Sequence, residues 1–362
     1  MTGKVYFVKL APRDDINYTA KKARHLLSQS RLLEIFEKGS LLGIKTHFGE
    51  NSKRGIVRPE CIKAVVNLLR PVSGNRIAVI ETNTLYAGHR SNTPEHLAHA
   101  HRQGFSASST GAPIVIADGL LGRYHADVEI SKEYFKSVKI AADVAHMDGL
   151  VVLSHATGHC QVGFAGAIKN LGMGCAAKQG KLEQHSEVIP EIRAAKCTGC
   201  GTCIRWCPAG AITLKDKKAV IDKAGCIGCG ECIAVCKSGA PKIFWDENTM
   251  GIQKKLAEYA FGAMKCVNKK AVFVNFLNNI TRDCDCMCGP EDGDITPGVG
   301  IAASRDPVAL DTASCELILK SAGEDIFRKN YPQIDWNVQL EHAQKIGLGS
   351  MKYDLEEIVY EG

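Results

Sequence analysis

Eight cysteines between Cys197 and Cys236 stand in two rows of identical spacing. The first row is Cys197-Thr-Gly-Cys200-Gly-Thr-Cys203-Ile-Arg-Trp-Cys207-Pro208, and the second is Cys226-Ile-Gly-Cys229-Gly-Glu-Cys232-Ile-Ala-Val-Cys236. The offset is a constant 29 residues, from Cys197 to Cys226 and from Cys207 to Cys236, so the stretch is an internal duplication. Thiols this dense leave little apolar volume for a core. Such a segment folds around a crosslink or a metal.

The C-x2-C-x2-C-x3-C run is a ligand pattern for four-iron clusters, in which the fourth cysteine serves the other cluster. Cys197, Cys200, Cys203 and Cys236 then hold one [4Fe-4S] cluster, and Cys226, Cys229, Cys232 and Cys207 hold the second. Three cysteines on a tight loop reach three corners of a cubane. Gly199, Gly201, Gly228 and Gly230 let the backbone curl and aim amides at the sulfurs. Disulfides fit poorly, because no secretory segment is present. Zinc takes paired C-x2-C units rather than a duplicated row of four. Lys237 follows the second row where Pro208 follows the first. Between the rows, Ala211–Leu214 and Ala219–Asp222 flank Lys215-Asp-Lys-Lys218, which reads as a hairpin with a basic tip. A solvated turn is the common role of such a run, and steering of an acidic electron partner is the other.

Length and composition set the frame around this segment. The chain has 362 residues, 45% hydrophobic and 23% charged, as in ordinary globular proteins of two or three domains. No run is long and apolar enough to span a membrane. The first ten residues lack a signal-peptide core and read as a strand, which places the protein in the cytoplasm. The formal charge of +6 overstates the balance. Eight ligating thiolates outweigh the charge of two oxidised cluster cores, so the loaded protein is closer to neutral. No basic patch interleaved with aromatics is present, so nucleic acid is not expected as a partner. Sixteen cysteines in a cytosolic chain imply a reducing, anaerobic setting.

The sequence on both sides of the insert reads as one α/β fold: a mostly parallel sheet with flanking helices, interrupted by a small α+β domain. Its strands are expected at Val5–Leu10, Leu41–Thr46, Arg76–Ile80, Ile114–Ala117, Leu150–Leu153, Ala271–Asn275 and Val299–Ala303. Helices are expected at Tyr18–Glu37, Pro59–Leu69, Asn248–Met264 and Val338–Ile346. Thr93-Pro94 and Asp306-Pro307 read as N-cap and N1 pairs of two more. Strand–helix alternation argues for a sheet covered on both faces. The domain boundaries are 1–186 for the first part of the host, 187–247 for the insert and 248–362 for the second part.

Polar residues gather where the apolar runs stop, and parallel sheets bind ligands beyond the carboxyl ends of their strands. Lys45-Thr-His47-Phe-Gly-Glu50, Glu81-Thr-Asn-Thr-Leu-Tyr86 and Ser154-His155-Ala-Thr-Gly-His159-Cys160 follow three strands. Gly163 to Gly174 holds four glycines and Lys169, which suits an anion such as phosphate or carboxylate, or else a packing turn into a helix. His47, His155, His159 and Lys169 are the catalytic candidates. Cys284-Asp-Cys286-Met-Cys288-Gly-Pro is a second cysteine feature. With Cys160 it offers ligands for a third iron–sulfur cluster or a single metal ion, and free reduced thiols are the alternative. Further ligands are available in Cys175 and His185. Cys61, Cys266 and Cys315 lie in apolar or helical contexts and read as buried small hydrophobes.

The insert resembles a bacterial two-cluster ferredoxin. The flanking motifs are similar to the domain-of-unknown-function family 362, in its iron–sulfur branch. Those motifs are Ile44–Glu50, Thr82–Tyr86, Ala117–Leu120, Leu153–His155, Gly158-His159, Gly163-Phe164, Lys169–Gly174, Cys284–Cys286 and Ala303–Asp311. The resemblance covers about residues 40 to 315. It implies a ferredoxin module inserted in an α/β host, and a site where the motifs converge. Cys160 departs from the acidic residue of the family pattern, and Cys288 adds a third cysteine to a Cys-x-Cys pair.

The function expected from these features is an iron–sulfur oxidoreductase. It relays low-potential electrons from a ferredoxin-like or other redox protein, through two [4Fe-4S] clusters, to a metal, cluster or small-molecule substrate site in the host. Two alternatives stay open. One is a non-enzymatic electron carrier or cluster- and metal-handling protein. The other is a redox enzyme using flavin or nucleotide at the strand ends.

Overall fold

The structure, a computed structural model, describes residues 2–11, 14–50, 52–86, 88–185, 189–207, 209–226, 230–242, 249–284 and 291–361. Among them, eight strands form the main sheet: β1 Gly3–Lys9, β2 Leu42–Lys45, β3 Ile77–Glu81, β4 Ile114–Ile116, β5 Gly149–His155, β6 Ala271–Leu277, β7 Gly300–Ser304 and β8 Tyr353–Glu357. Their order is β8-β1-β7-β6-β5-β2-β3-β4. β7 runs antiparallel to both neighbours, and every other pairing is parallel. Seven strands are those expected from the apolar runs. β8 has no counterpart among those runs, because it is an exposed edge strand with no apolar run.

Central strands are buried on both faces, as a parallel sheet requires. Side chains alternate between the two faces. Val151, Leu153, Val272 and Val274 face a layer that includes helices Ile16–Ser30 and Pro59–Ser73. Leu150, Val152, Ala271 and Phe273 face the opposite layer, with helices Thr249–Cys266, Pro307–Ala322 and Asn337–Lys345. Each such Leu, Val or Phe contributes about 1.5–3 kcal/mol by leaving water.

Two helix expectations are corrected. The expected Tyr18–Glu37 helix ends at Ser30, where Arg31 turns left-handed at φ 54°, and a short 3-10 turn follows at Leu32–Ile35. The Arg305 guanidinium holds that break by donating to the carbonyls of Arg31 (3.2 Å) and Leu32 (2.8 Å). Asn92, not Thr93, caps helix Thr93–Arg102, accepting from Glu95 N at 3.1 Å. Asp306 caps its helix as expected, accepting from Val308 N and Ala309 N, with Pro307 at N1.

The insert is built twice on the same frame. Hairpin Ile212–Lys215 with Lys218–Ile221 matches, at the 29-residue offset, the pairing of Pro241-Lys242 with Glu191-Ile192. The short helices Thr202–Arg205 and Glu231–Val235 both start from left-handed glycines, Gly201 and Gly230. Ala211 N donates to Cys207 Sγ, and Ala240 N to Cys236 Sγ, both at 3.3 Å. The halves are crossed: Arg193 N donates to Ala240 O, and Asp222 N to Ala211 O, each at 2.8 Å. Cys197, Ile212, Ala219, Cys232 and Ala240 form a small separate core.

Candidate functional site

Strands β2, β3, β5 and β6 run in one direction, so their carboxyl ends open on the same edge of the sheet. A cavity of about 370 Å³ lies there. His47 arrives just past β2, Glu81, Thr82 and Tyr86 from β3 and beyond, and Ser154 and His155 from the end of β5. The hairpin Thr157–His159 with Gly163–Ala165 brings His159 and Cys160, and helices Ala167–Gly172 and Lys178–His185 bring Lys169, Lys181 and His185.

Beneath the cavity lies a buried charge network. Lys45 Nζ, wholly buried, donates to Glu81 Oε1 (2.8 Å), Asn170 Oδ1 (2.8 Å) and Thr46 O (2.5 Å). Burial works against ionised Glu81, but Lys45, His96, Arg90 and Lys181 outweigh it and hold the carboxyl down at about 2. Arg90 is itself paired with Glu50 at 2.7 Å. Lys181 Nζ donates to two uncharged oxygens, Thr82 Oγ1 (2.5 Å) and Ala176 O (2.6 Å), and burial lowers its pKa. Burial, then the charges of His159, Lys169 and Lys181, holds His185 down at about 3. Among the described residues, the walls carry Arg90, Lys169 and Lys181 against Glu81.

Two tethers fix the cavity's loops. Thr157 Oγ1 donates to Thr281 O at 2.9 Å, and Gly158 N donates to the same carbonyl at 3.0 Å. This binds the His159–Cys160 hairpin to the loop that carries Cys284. A Cβ on Gly158 would overlap Arg282 O. Gly158→Ala is expected to cost about 1–3 kcal/mol, read as a lower urea midpoint with unchanged slope. Asp311 accepts from Ala167 N and Ile168 N at 2.8 Å and from Asn275 Nδ2 at 2.7 Å. It anchors the start of the helix that carries Lys169 and Asn170, and a Cβ on Gly166 would overlap its carboxylate.

All four catalytic candidates, His47, His155, His159 and Lys169, line this one cavity, together with Cys160 and Cys284. Cys286 and Cys288 lie outside the described residues, as does Cys229 of the second row. His155 Nε2 donates to Asn278 O at 2.6 Å. His159 Nδ1 accepts from Gln161 N at 3.1 Å, which leaves Nε2 to carry the proton of the neutral ring. Among the described residues, no three His, Cys, Asp or Glu side chains are arranged to hold one metal ion. Cys175 is not in the cavity wall, and burial pushes its thiol up to about 12. Of the glycines of Gly163–Gly174, Gly166 and Gly174 line the cavity, Gly174 abutting Lys45 and Asn170, while Gly172 packs on the backbone of Leu256. Lys45, Glu81 and Arg90 stand in or just beyond the strand-end polar runs, whereas Lys181 was missed as a site residue. Lys181 lies in a helix, Lys178–His185, with no motif and little apolar periodicity to reveal it.

The insert rests on that same helix. Glu231 pairs with Arg123 of the host, and the Arg123 guanidinium lies 4.4 Å over the Trp206 ring. Gly230 packs on Leu182, one residue beyond Lys181. The second row thus faces the host. At the other end Cys200 is exposed, and burial, then neighbouring Cys236, Cys197 and Cys200, push the Cys203 thiol up.

The buried groups set a pH dependence of stability. Burial, chiefly, raises Asp118 and Asp311 to about 6, and lowers His96 and His185 to about 3. From pH 6 to 4 the folded aspartates bind protons that the unfolded ones do not, while the unfolded histidines bind protons that the folded ones refuse. The two effects oppose, and stability is expected to stay nearly level. Below about pH 4 the aspartates are protonated in both states. Glu81 and the histidines then leave the unfolded chain binding more protons, and stability falls steeply as pH drops through Glu81's folded value. Urea midpoints from pH 7 to 3 check this, and a steady decline from pH 6 would contradict it.

Two solved structures resemble the chain at low identity. The lactate racemase apoprotein from Thermoanaerobacterium thermosaccharolyticum is 16% identical with a TM-score of 0.38, over 76% of this chain and 51% of that one. A protein from Thermotoga maritima is 11% identical with a TM-score of 0.41, over 92% of this chain and 60% of that one. The chain thus spans about half to three fifths of the length of these two proteins. Comparison with curated proteins finds no match. The sequence model of a domain of unknown function, DUF362, matches residues 42–316, most of the length over which the sheet and the cavity are built, and the chain belongs to that family.

Proposed function

We propose that the protein is an iron–sulfur oxidoreductase in which the insert carries two [4Fe-4S] clusters and the cavity at the strand ends receives the electrons. The observation that carries this reading is the doubled frame of the insert: residues 29 apart make the same amide-to-sulfur bonds to Cys207 and Cys236. Amide donors at sulfur are what cluster ligands need, since they tune potential and offset thiolate charge. Cys203 has Cys236, Cys197 and Cys200 as its thiol neighbours, which suits the crossed ligand sets. Ligands of a cubane surround a core several ångströms wide, so they need not converge on a single ion. One-electron transfer is the chemistry such clusters supply when bound.

The cavity suits a small anionic substrate, a carboxylate or phosphate. Lys169 and Lys181 give it positive potential, and His155 and His159 are the groups to hold or pass a proton. Cys160 and Cys284 on its wall, with Cys286 and Cys288, offer ligands for a third cluster. Anaerobic purification with iron and sulfide counts tests the reading. About eight of each per chain support two clusters, and about twelve support a third. A zinc-loaded, iron-free protein after anaerobic reconstitution would sink it. Mass spectrometry of small molecules released from the same sample tests the cavity, and also detects flavin or nucleotide.

A further inference from the structure

The two ends of the insert differ in surroundings and in charge. The second-row end meets the host through Glu231 and Gly230, and Trp206 of the first row, next to Cys207, lies under the Arg123 guanidinium. The first-row end faces solvent at the exposed Cys200. Lysines crowd that end. Lys196 precedes Cys197, and Lys237 follows Cys236 where the first row has a proline. The hairpin tip folds back over the row: Lys218 Nζ donates to Cys197 O at 2.6 Å, Ala219 N donates to Cys197 Sγ at 3.4 Å, and Lys217 O abuts Gly199.

The tip is costly as a mere turn. Asp216 and Lys217 both have positive φ, 50° and 59°, in a two-residue loop that normally places glycine second. Lys215 and Lys218 are directly paired across the strands, a like-charge pair that destabilises a hairpin. Strained backbone and repelling charges concentrated beside an exposed thiol point to a role beyond folding. Asp216 is the single acid within the tip.

We infer that Lys196, Lys217, Lys218 and Lys237 form the docking surface for an acidic one-electron carrier protein, a role that rests on the electron-transfer reading above. A four-iron core held by the first row would take one electron from the reduced carrier when bound, with no bond or proton changing place. The geometry gives the relay a direction in space: entry at Cys200, exit toward Leu182 and the cavity.

Calorimetric titration of the full-length, anaerobically purified protein with oxidised bacterial two-cluster ferredoxin, an acidic protein, tests this without turnover. Raising salt from low to a few hundred millimolar is expected to weaken binding about tenfold. The double reversal Lys217→Glu, Lys237→Glu is expected to weaken it about tenfold at low salt, with iron content unchanged. Wild type and variant binding equally, both with full iron, would overturn the docking surface alone. An iron-free wild type would overturn the electron-transfer reading, and the docking role with it.

Discussion

Lys45→Met is expected to lower stability by about 3–5 kcal/mol. Lys45 is wholly buried and bonded to Glu81 at 2.8 Å, so its loss strands a carboxylate in the protein interior. Thr82 N at 2.6 Å is the donor that remains on the other oxygen. Without the ammonium, burial dominates and Glu81 moves up from about 2. Lowering the pH from 7 to 5 then narrows the gap to wild type, since protonation removes the stranded charge. Adding Glu81→Gln should recover much of the loss. Urea unfolding of the three proteins at both pH values checks this, and a Lys45→Met protein within 1 kcal/mol of wild type would refute it.

Serine substitutions at Cys203 and Cys236, far apart in the chain, are expected to remove the same half of the iron, about four atoms of eight. Substitutions at Cys207 and Cys232 are expected to remove the other half. The grounds are the crossed backbone bonds, Arg193 to Ala240 and Asp222 to Ala211, and the nearness of Cys236 to Cys203. Iron analysis shows the amount, and paramagnetic resonance of the reduced proteins shows which signal is left. If Cys236→Ser instead matched Cys232→Ser, each row would hold its own cluster and the crossed assignment would fail.

The central strands were legible because parallel strands buried on both faces must be apolar, as β2, β3, β5 and β6 are. β8 escaped because an edge strand with one shallow contact face can be Tyr-Asp-Leu-Glu-Glu. The break at Arg31 escaped because it depends on Arg305, a residue distant in sequence. At the site, residues next to strand ends were readable, and His47, His155, His159 and Lys169 do share one cavity. The pairing of the buried cations around it was not. Lys45 opens the polar run at the end of its strand, and only the fold shows it bonded to Glu81 and Asn170. Lys181 reads as surface charge until helix Lys178–His185 is seen packed under the insert.

β5 and β6 are neighbours in the middle of the sheet, with Ser154 opposite Asn275, yet the whole insert lies between them in the chain. Closing that pair is a long-range event, slow because the intervening loop loses its freedom before contacts repay it. An insert that has collapsed around its own cores brings its ends together and shortens the effective loop. On the proposed cluster reading, filling the cysteine rows would set the pace at which the host assembles, and iron shortage would leave chains whose two halves have not met.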